Sequence, residues 1–226
     1  MKSEPAKNPQ SSPRIRKKRK QARTEILQAA LAILRNEGVE AVTLASVAGA
    51  LDMTKQAIYH YFPSKDALMK ALVTSLLEDE VEALVQAVTR GESSQSTLST
   101  LIRAFYSHYI NNLEAFRTVY CLSQLSSPNH IGMDETTIRE QINPRTHKLF
   151  DVLEARLSNE SNESMSSQKR QKMRQLAFVA WTSALGLMTM LSVADAVGDP
   201  LIHKDEALLS TLETVFDQTR PASESN

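Results

Sequence analysis

The sequence predicts an all-α protein in two parts. Three observations lead there: apolar residues recur every three or four positions along most of the chain, cap-forming residues stand at the edges of those segments, and no stretch alternates with the period of a strand. With 226 residues, 42% hydrophobic and 23% charged, the chain can bury one sizeable core or two small ones, which argues against wholesale disorder. Its single cysteine, Cys121, rules out an intramolecular disulfide, and the first residues lack the apolar run of a signal peptide. A reducing cytoplasm is therefore expected, with Cys121 a small core residue rather than a nucleophile.

The net charge of zero hides an asymmetry. Met1 to Thr24 holds nine Lys or Arg against Glu4 alone, about +8, which leaves about −8 on the rest. Residues 1–22, with Pro5, Pro9, Pro13 and the run Arg14 to Lys20, are expected to form a flexible basic arm that a polyanion orders. A first helix follows, with Ile26, Leu27, Ala30, Ile33 and Leu34 at helical spacing, and Gly38 stops it. Thr43 caps a second helix (44–51) and Thr54 a third (55–61), because Thr hydroxyls accept from the free amides of a first turn. Between them Asp52 is suited to a left-handed turn. Pro63 ends the third helix and Ser64 caps a fourth, 65–90, with Leu68, Leu72, Leu76, Val81, Leu84, Val85 and Val88 on its apolar side.

After a Gly/Ser-rich break at 91–96, helices are predicted at 97–111, 114–126, 134–142, 144–158, 167–197 and 203–219, leaving 220–226 as a flexible tail. Asn143 and Pro144 read as a cap followed by a proline in the first turn; Gly198, Asp199 and Pro200 separate the last two long helices. Residues 176–194 carry no charge and are long enough to span a bilayer. Thr182, Ser183, Gly186, Thr189 and Ser192 dilute them, and a helix apolar all round also suits the centre of a soluble bundle.

The segments EGVEAVTLASVAGAL (37–51) and TKQAIYHYFPSKDALMKAL (54–72) resemble the DNA-binding domain of the TetR/AcrR family of transcriptional regulators. The resemblance implies an N-terminal three-helix helix-turn-helix domain over 23–70, joined by a long helix to a larger helical domain over 71–219. In that arrangement Thr54, Lys55, Gln56 and Ala57 begin the helix that enters the major groove, where lysine donates to guanine and glutamine pairs with adenine. Thr43, Tyr59, His60, Tyr61 and Lys65 suit phosphate oxygens, while Ile58 and Phe62 turn into the core with Val47, Ala48 and Leu51. The family often has glycine where this chain has Asp52, and a basic residue where it has Ala45. Residues 25–70 hold only four Lys or Arg against five acids, so the arm's Arg14, Arg16, Lys17, Lys18, Arg19, Lys20 and Arg23 are expected to supply much of the phosphate neutralisation.

By the same resemblance the larger domain binds a small-molecule effector and forms a homodimer that reads a palindromic operator, as a repressor released by its ligand. The last two long helices are the expected dimer pair, through Ala180, Ala184, Leu187, Leu191, Leu208, Leu212 and Val215. Phe105, Tyr109, Phe116, Tyr120, Phe150, Phe178, Trp181 and Met188, with His108 and His147 as polar contacts, are the candidate effector pocket. No cofactor or metal is expected: the chain has no glycine-rich phosphate loop, HExxH or paired cysteines, and the spacings His147/Asp151 and His203/Glu206 supply too few ligands. A non-enzymatic regulator is the reading that results. The alternative is a membrane-associated helical protein anchored by 176–194, with its polybasic arm on anionic lipid.

Overall fold

The computed structural model describes residues 13–91, 96–121, 135–160, 166–197 and 206–218, and all regular structure among them is helical. The chain divides into two compact units, Met1–Leu68 and Met69–Asn226.

The first unit opens with α1 (Pro13–Glu37). The helix starts well before the expected end of the flexible arm, so residues 14–22 are helical and fully or partly exposed rather than extended. The reason is local. Proline suits a first helical position, and the Arg, Lys, Gln and Ala residues that follow are good helix formers with no breaker before Gly38. Residues 1–12 of the arm lie outside the described residues. Ile26, Ala30, Ile33 and Leu34 form the buried stripe of α1, and Gly38 closes it at φ 83, with its N–H donated to Leu34 O at 3.1 Å. A 3₁₀ turn (Val39–Ala41) leads to α2 (Leu44–Ala50) and α3 (Lys55–Tyr61).

Each of these starts is capped as predicted. Thr43 Oγ1 accepts from Ser46 N at 2.9 Å, and Ser46 Oγ accepts from Thr43 N at 3.0 Å. Thr54 Oγ1 accepts from Ala57 N at 3.2 Å. Ser64 Oγ accepts from Ala67 N at 3.1 Å to start α4 (Lys65–Arg90). The α2–α3 turn is a Schellman motif on a non-glycine residue. Asp52 sits at φ 52, Met53 N bonds Ala48 O at 2.9 Å and Asp52 N bonds Gly49 O at 3.2 Å. Val47, Ala48, Ile58 and Phe62 are buried, with Leu51 half-buried at their edge.

The second unit contains the rest of α4, α5 (Thr97–Tyr109), α6 (Leu113–Phe116), α7 (Asn143–Glu160), α8 (Ser167–Val197) and α9 (Ala207–Gln218). Helix α5 is its centre, with Leu101, Ile102, Phe105 and Tyr109 fully buried and α7, α8 and α9 packed around it. Two π-turns interrupt the α-helical pattern, one after α6 (Arg117–Cys121) and one before α7 (Ile138–Ile142), where the sequence predicts plain helices. The second overturns the expected cap: Asn143 is helical (φ −54, ψ −43) and donates its N–H to Ile138 O. A turn widened to i→i+5 admits the Pro144 ring without ending the helix, since proline has no N–H to place there. Cys121 ends the first π-turn half-buried. The predicted separator Gly198–Pro200, and His203, lie outside the described residues.

Helix α8 is long and apolar enough to cross a bilayer by length and composition. Its apolar residues fall on two seams. Ala177, Ala180, Ala184, Met188 and Leu191 are buried, whereas Val179, Met190 and Val193 are more than half exposed, with Gly186 open between them. This corrects the expected dimer face: Ala180, Ala184 and Leu191 belong to the interior of their own unit, because small side chains there let α5 approach. On α9, Leu209 and Phe216 are buried while Leu208 and Val215 are exposed. Arg103 on α5 clamps Glu213 on α9 in a two-pronged ion pair at 2.7 and 2.6 Å, and Ser99 Oγ reaches Asp217 at 2.5 Å.

Candidate nucleic-acid interface and ligand cavity

In the first unit, α3 presents Lys55, Gln56, Tyr59 and His60 to solvent on one side while Ile58 is buried on the other. Thr54 and Lys65 are also exposed; Ala57 and Tyr61 are half-buried. The Lys55 ammonium lies 5.8 Å from the Tyr59 ring centroid, and His60 meets Tyr61 edge to face at 5.6 Å. Thr43 is half-buried with its hydroxyl engaged in the capping box. One predicted arm cation is diverted. Arg23 donates to Tyr61 O at 3.1 Å and stacks over Phe62 at 4.2 Å, and burial lowers its pKa. It holds α1 against the end of α3, while Arg14, Arg16, Lys17, Lys18, Arg19 and Lys20 stay exposed.

The second unit holds a partly open cavity of about 130 Å³. Leu77, Glu80 and Val81 of α4, Tyr120 and Ile142 of the two π-turns, Arg145 and Phe150 of α7, and Trp181 of α8 line it. Of the predicted pocket residues, Tyr120, Phe150 and Trp181 are therefore placed together on a cavity wall. Phe105, Tyr109, Phe116 and Met188 are instead buried in the core, the first two because α5 turns its apolar face inward. Phe105, Tyr109, Phe116 and Tyr120 form one edge-on aromatic cluster, with Phe105 5.3 Å from Tyr109 and Phe116 5.3 Å from Tyr120. His108 is half-buried, edge to face with the Tyr109 ring at 4.6 Å. His147 and the half-exposed Phe178 border a shallower depression with Phe150, Asp151 and Arg174. There Asp151 accepts from Arg174 at 2.9 Å, as a solvated ion pair does.

The residue that sequence reasoning missed is Glu80, 3% exposed. Tyr109 Oη donates to its Oε2 at 2.5 Å, and Tyr120 Oη donates to the same oxygen at 2.7 Å and to Oε1 at 2.9 Å. Burial pushes the carboxyl up to about 7, and the two phenols hold it partly back. The tyrosines are raised in turn, by burial first and then by the carboxylate beside them. Glu80 stands in the run Glu78, Asp79, Glu80, which by itself reads as a solvated face. Only its place one helical turn from Leu76, Leu77 and Leu84 hinted otherwise. Arg145 is tied to Glu78 and to Gln141 O at the cavity edge.

Residues 26–72 match the model of the bacterial regulatory protein family tetR. The chain is 25% identical over 140 residues to the HTH-type transcriptional repressor KstR2 of Rhodococcus jostii RHA1, an alignment covering 62% of this chain and 67% of that one. It is 24% identical over 90 residues to the nicotine-responsive transcriptional repressor HdnoR of Paenarthrobacter nicotinovorans, covering 40% of this chain and less than half, 46%, of the relative. A TetR variant from Acinetobacter baumannii AYE, solved in complex with minocycline, shares the fold with a TM-score of 0.56 at 17% identity, over 86% of this chain and 96% of that one. Residues 26–72, with their helix-turn-helix and capped third helix, thus form the DNA-binding domain of the tetR family, and the relatives and fold neighbours support a TetR family transcriptional regulator.

Proposed function

We propose that the chain is a dimeric cytoplasmic repressor that leaves its operator when a small molecule enters the cavity of the second unit. The observation that carries this reading is the partly open, mostly apolar cavity with a buried carboxyl, three of whose lining residues belong to α4, the helix that begins at Lys65, four residues after α3 ends. A ligand that favours one setting of α4 has a direct means of biasing the DNA-binding state. Two similar proteins, one nicotine-responsive and one solved with minocycline, support a ligand-responsive reading.

Base readout falls to Lys55 and Gln56, with Thr54 and Ala57 touching methyl or sugar groups, and Tyr59, His60, Tyr61, Thr43 and Lys65 position the phosphates. The basic residues of α1 add sequence-independent affinity. Dimerisation uses the outer seams, Val179, Gly186, Met190 and Val193 of α8 with Leu208 and Val215 of α9, whose spacings of seven, four and three residues keep each set on one helix face. Two such subunits carry reading helices one DNA turn apart, roughly 34–36 Å. The same seams favour a protein partner over lipid for α8, whose other side is occupied by α5. No catalytic step is assigned.

The test begins with selection of bound sequences from random duplexes over a salt series, where an enriched palindrome with two half-sites is expected. Ligands found by fluorescence of Trp181, the one tryptophan, are then titrated with and without that operator. Release requires reciprocal coupling, so ligand affinity falls on DNA; equal affinity in both titrations refutes effector release.

A further inference from the structure

The cavity of the second unit has one electrostatic peculiarity. Glu80 is buried, yet its partners are two neutral phenol hydroxyls, and no cationic side chain among the described residues pairs with it. Arg145, the cation on the cavity lining, is already engaged by Glu78 and a backbone carbonyl. A carboxylate without a counterion in an apolar enclosure is costly, and the ligand that relieves the cost most is one that brings a positive charge. The remaining lining suits the same chemistry. Tyr120, Phe150 and Trp181 offer ring surfaces, and aromatic faces attract ammonium groups.

Size narrows the choice. At about 130 Å³ the space is close to the ~150 Å³ that admits a benzene ring in an engineered cavity. Two lining residues, Tyr120 and Ile142, stand on π-turns, a local geometry concentrated at functional sites, and both turns border this cavity. We infer that the cavity takes a small organic cation, a protonated aryl- or alkylamine whose ammonium pairs with Glu80 while its apolar part packs on Tyr120, Phe150 and Trp181. The inference rests on the ligand-responsive reading above and gives it a chemical class. Tyr109 and Tyr120, the latter itself on the cavity lining, hold the carboxylate in one orientation, so the cation meets an oriented acceptor.

Three probes of nearly equal size test the assignment on the full chain near pH 8: 2-phenylethylammonium, 2-phenylethanol and phenylacetate. Trp181 fluorescence and titration calorimetry report binding. The expected order is cation first, at least about tenfold tighter than the alcohol, with the anion weakest. In Glu80→Gln the preference for the cation over the alcohol disappears while alcohol binding persists. An alcohol or anion that binds the unmodified protein as well as the cation overturns the inference, as does a cation preference that survives in a folded Glu80→Gln protein, or no cation binding at millimolar concentration. The comparison of probes on the unmodified protein stands even if the variant does not fold. Operator affinity is measured alongside. Cation binding through Glu80 that leaves operator affinity unchanged keeps the ligand class and defeats effector release; release by a neutral or anionic molecule does the reverse.

Discussion

The two units hold themselves together over different distances along the chain. In the first, the bonds that start and turn the helices close within a few residues, Thr43 with Ser46, Ala48 with Met53, Thr54 with Ala57, Ser64 with Ala67, and Arg23 to Tyr61 O, 38 residues apart, is the longer tie. In the second, the polar contacts span 110 residues from Arg103 to Glu213, 118 from Ser99 to Asp217, 75 from Arg117 to Ser192 and 40 from Glu80 to Tyr120. A short-range design presents one surface in a fixed form. A long-range design builds an interior whose lining comes from many helices, and that interior can vary its chemistry while the reading surface is kept.

The strongest way to break this contrast is to remove the first unit's core. Ile58→Ala empties a fully buried site, at a cost of about 2–5 kcal/mol. Operator binding is expected to vanish while probe binding at Trp181 persists, measured by DNA titration and fluorescence on one preparation. Loss of both would mean that the units fold as one.

Next in size is the carboxyl of the second unit. Glu80 binds its proton more tightly folded, at about 7, than at its ordinary 4.5, so its stabilising share is complete below 4.5 and lost as pH rises through 7. That share is worth about 3 kcal/mol. Urea unfolding at about pH 5 and about pH 8 is expected to show Glu80→Gln losing most of that share of the pH dependence of the unmodified protein. Tyr109 and Tyr120, which donate to it, are raised by burial and stay neutral in this interval.

Smaller effects sharpen the picture of the first unit. Gln56→Ala and Lys55→Ala are each expected to weaken operator binding by about 1–3 kcal/mol and to relax preference at one base pair, with unchanged melting. Deleting residues 1–20 is expected to weaken binding to all duplexes and flatten its salt dependence; an unchanged slope removes the basic helix from the interface. Asp52→Gly relieves the left-handed backbone at φ 52 and is expected to stabilise by up to about 1 kcal/mol in thermal melts.

What could be read from the sequence follows the same division. The caps at Thr43, Thr54 and Ser64, the Asp52 turn, the Gly38 stop and the buried Ile58 and Phe62 were all legible, because each depends on neighbours within one or two turns. Helices α4, α5 and α8 were legible as helices, but which side of α8 faced inward was not, since both seams are apolar and only packing on α5 separates them. Glu80 was hidden by its acidic neighbours, and the π-turns by the absence of any residue that demands them. The helical arm was misjudged because its prolines outweighed the good helix formers that follow Pro13.

That arm bears on how such a protein finds its site. From Pro13 to Gln21 the helix is a rod of about 12 Å at ~1.5 Å per residue, with six cations distributed around its circumference. A rigid charged rod keeps its charges at fixed spacing near any duplex, so capture from solution is fast and nearly independent of sequence. On the proposed reading, such a rod makes the pace of the search for the operator depend on local salt.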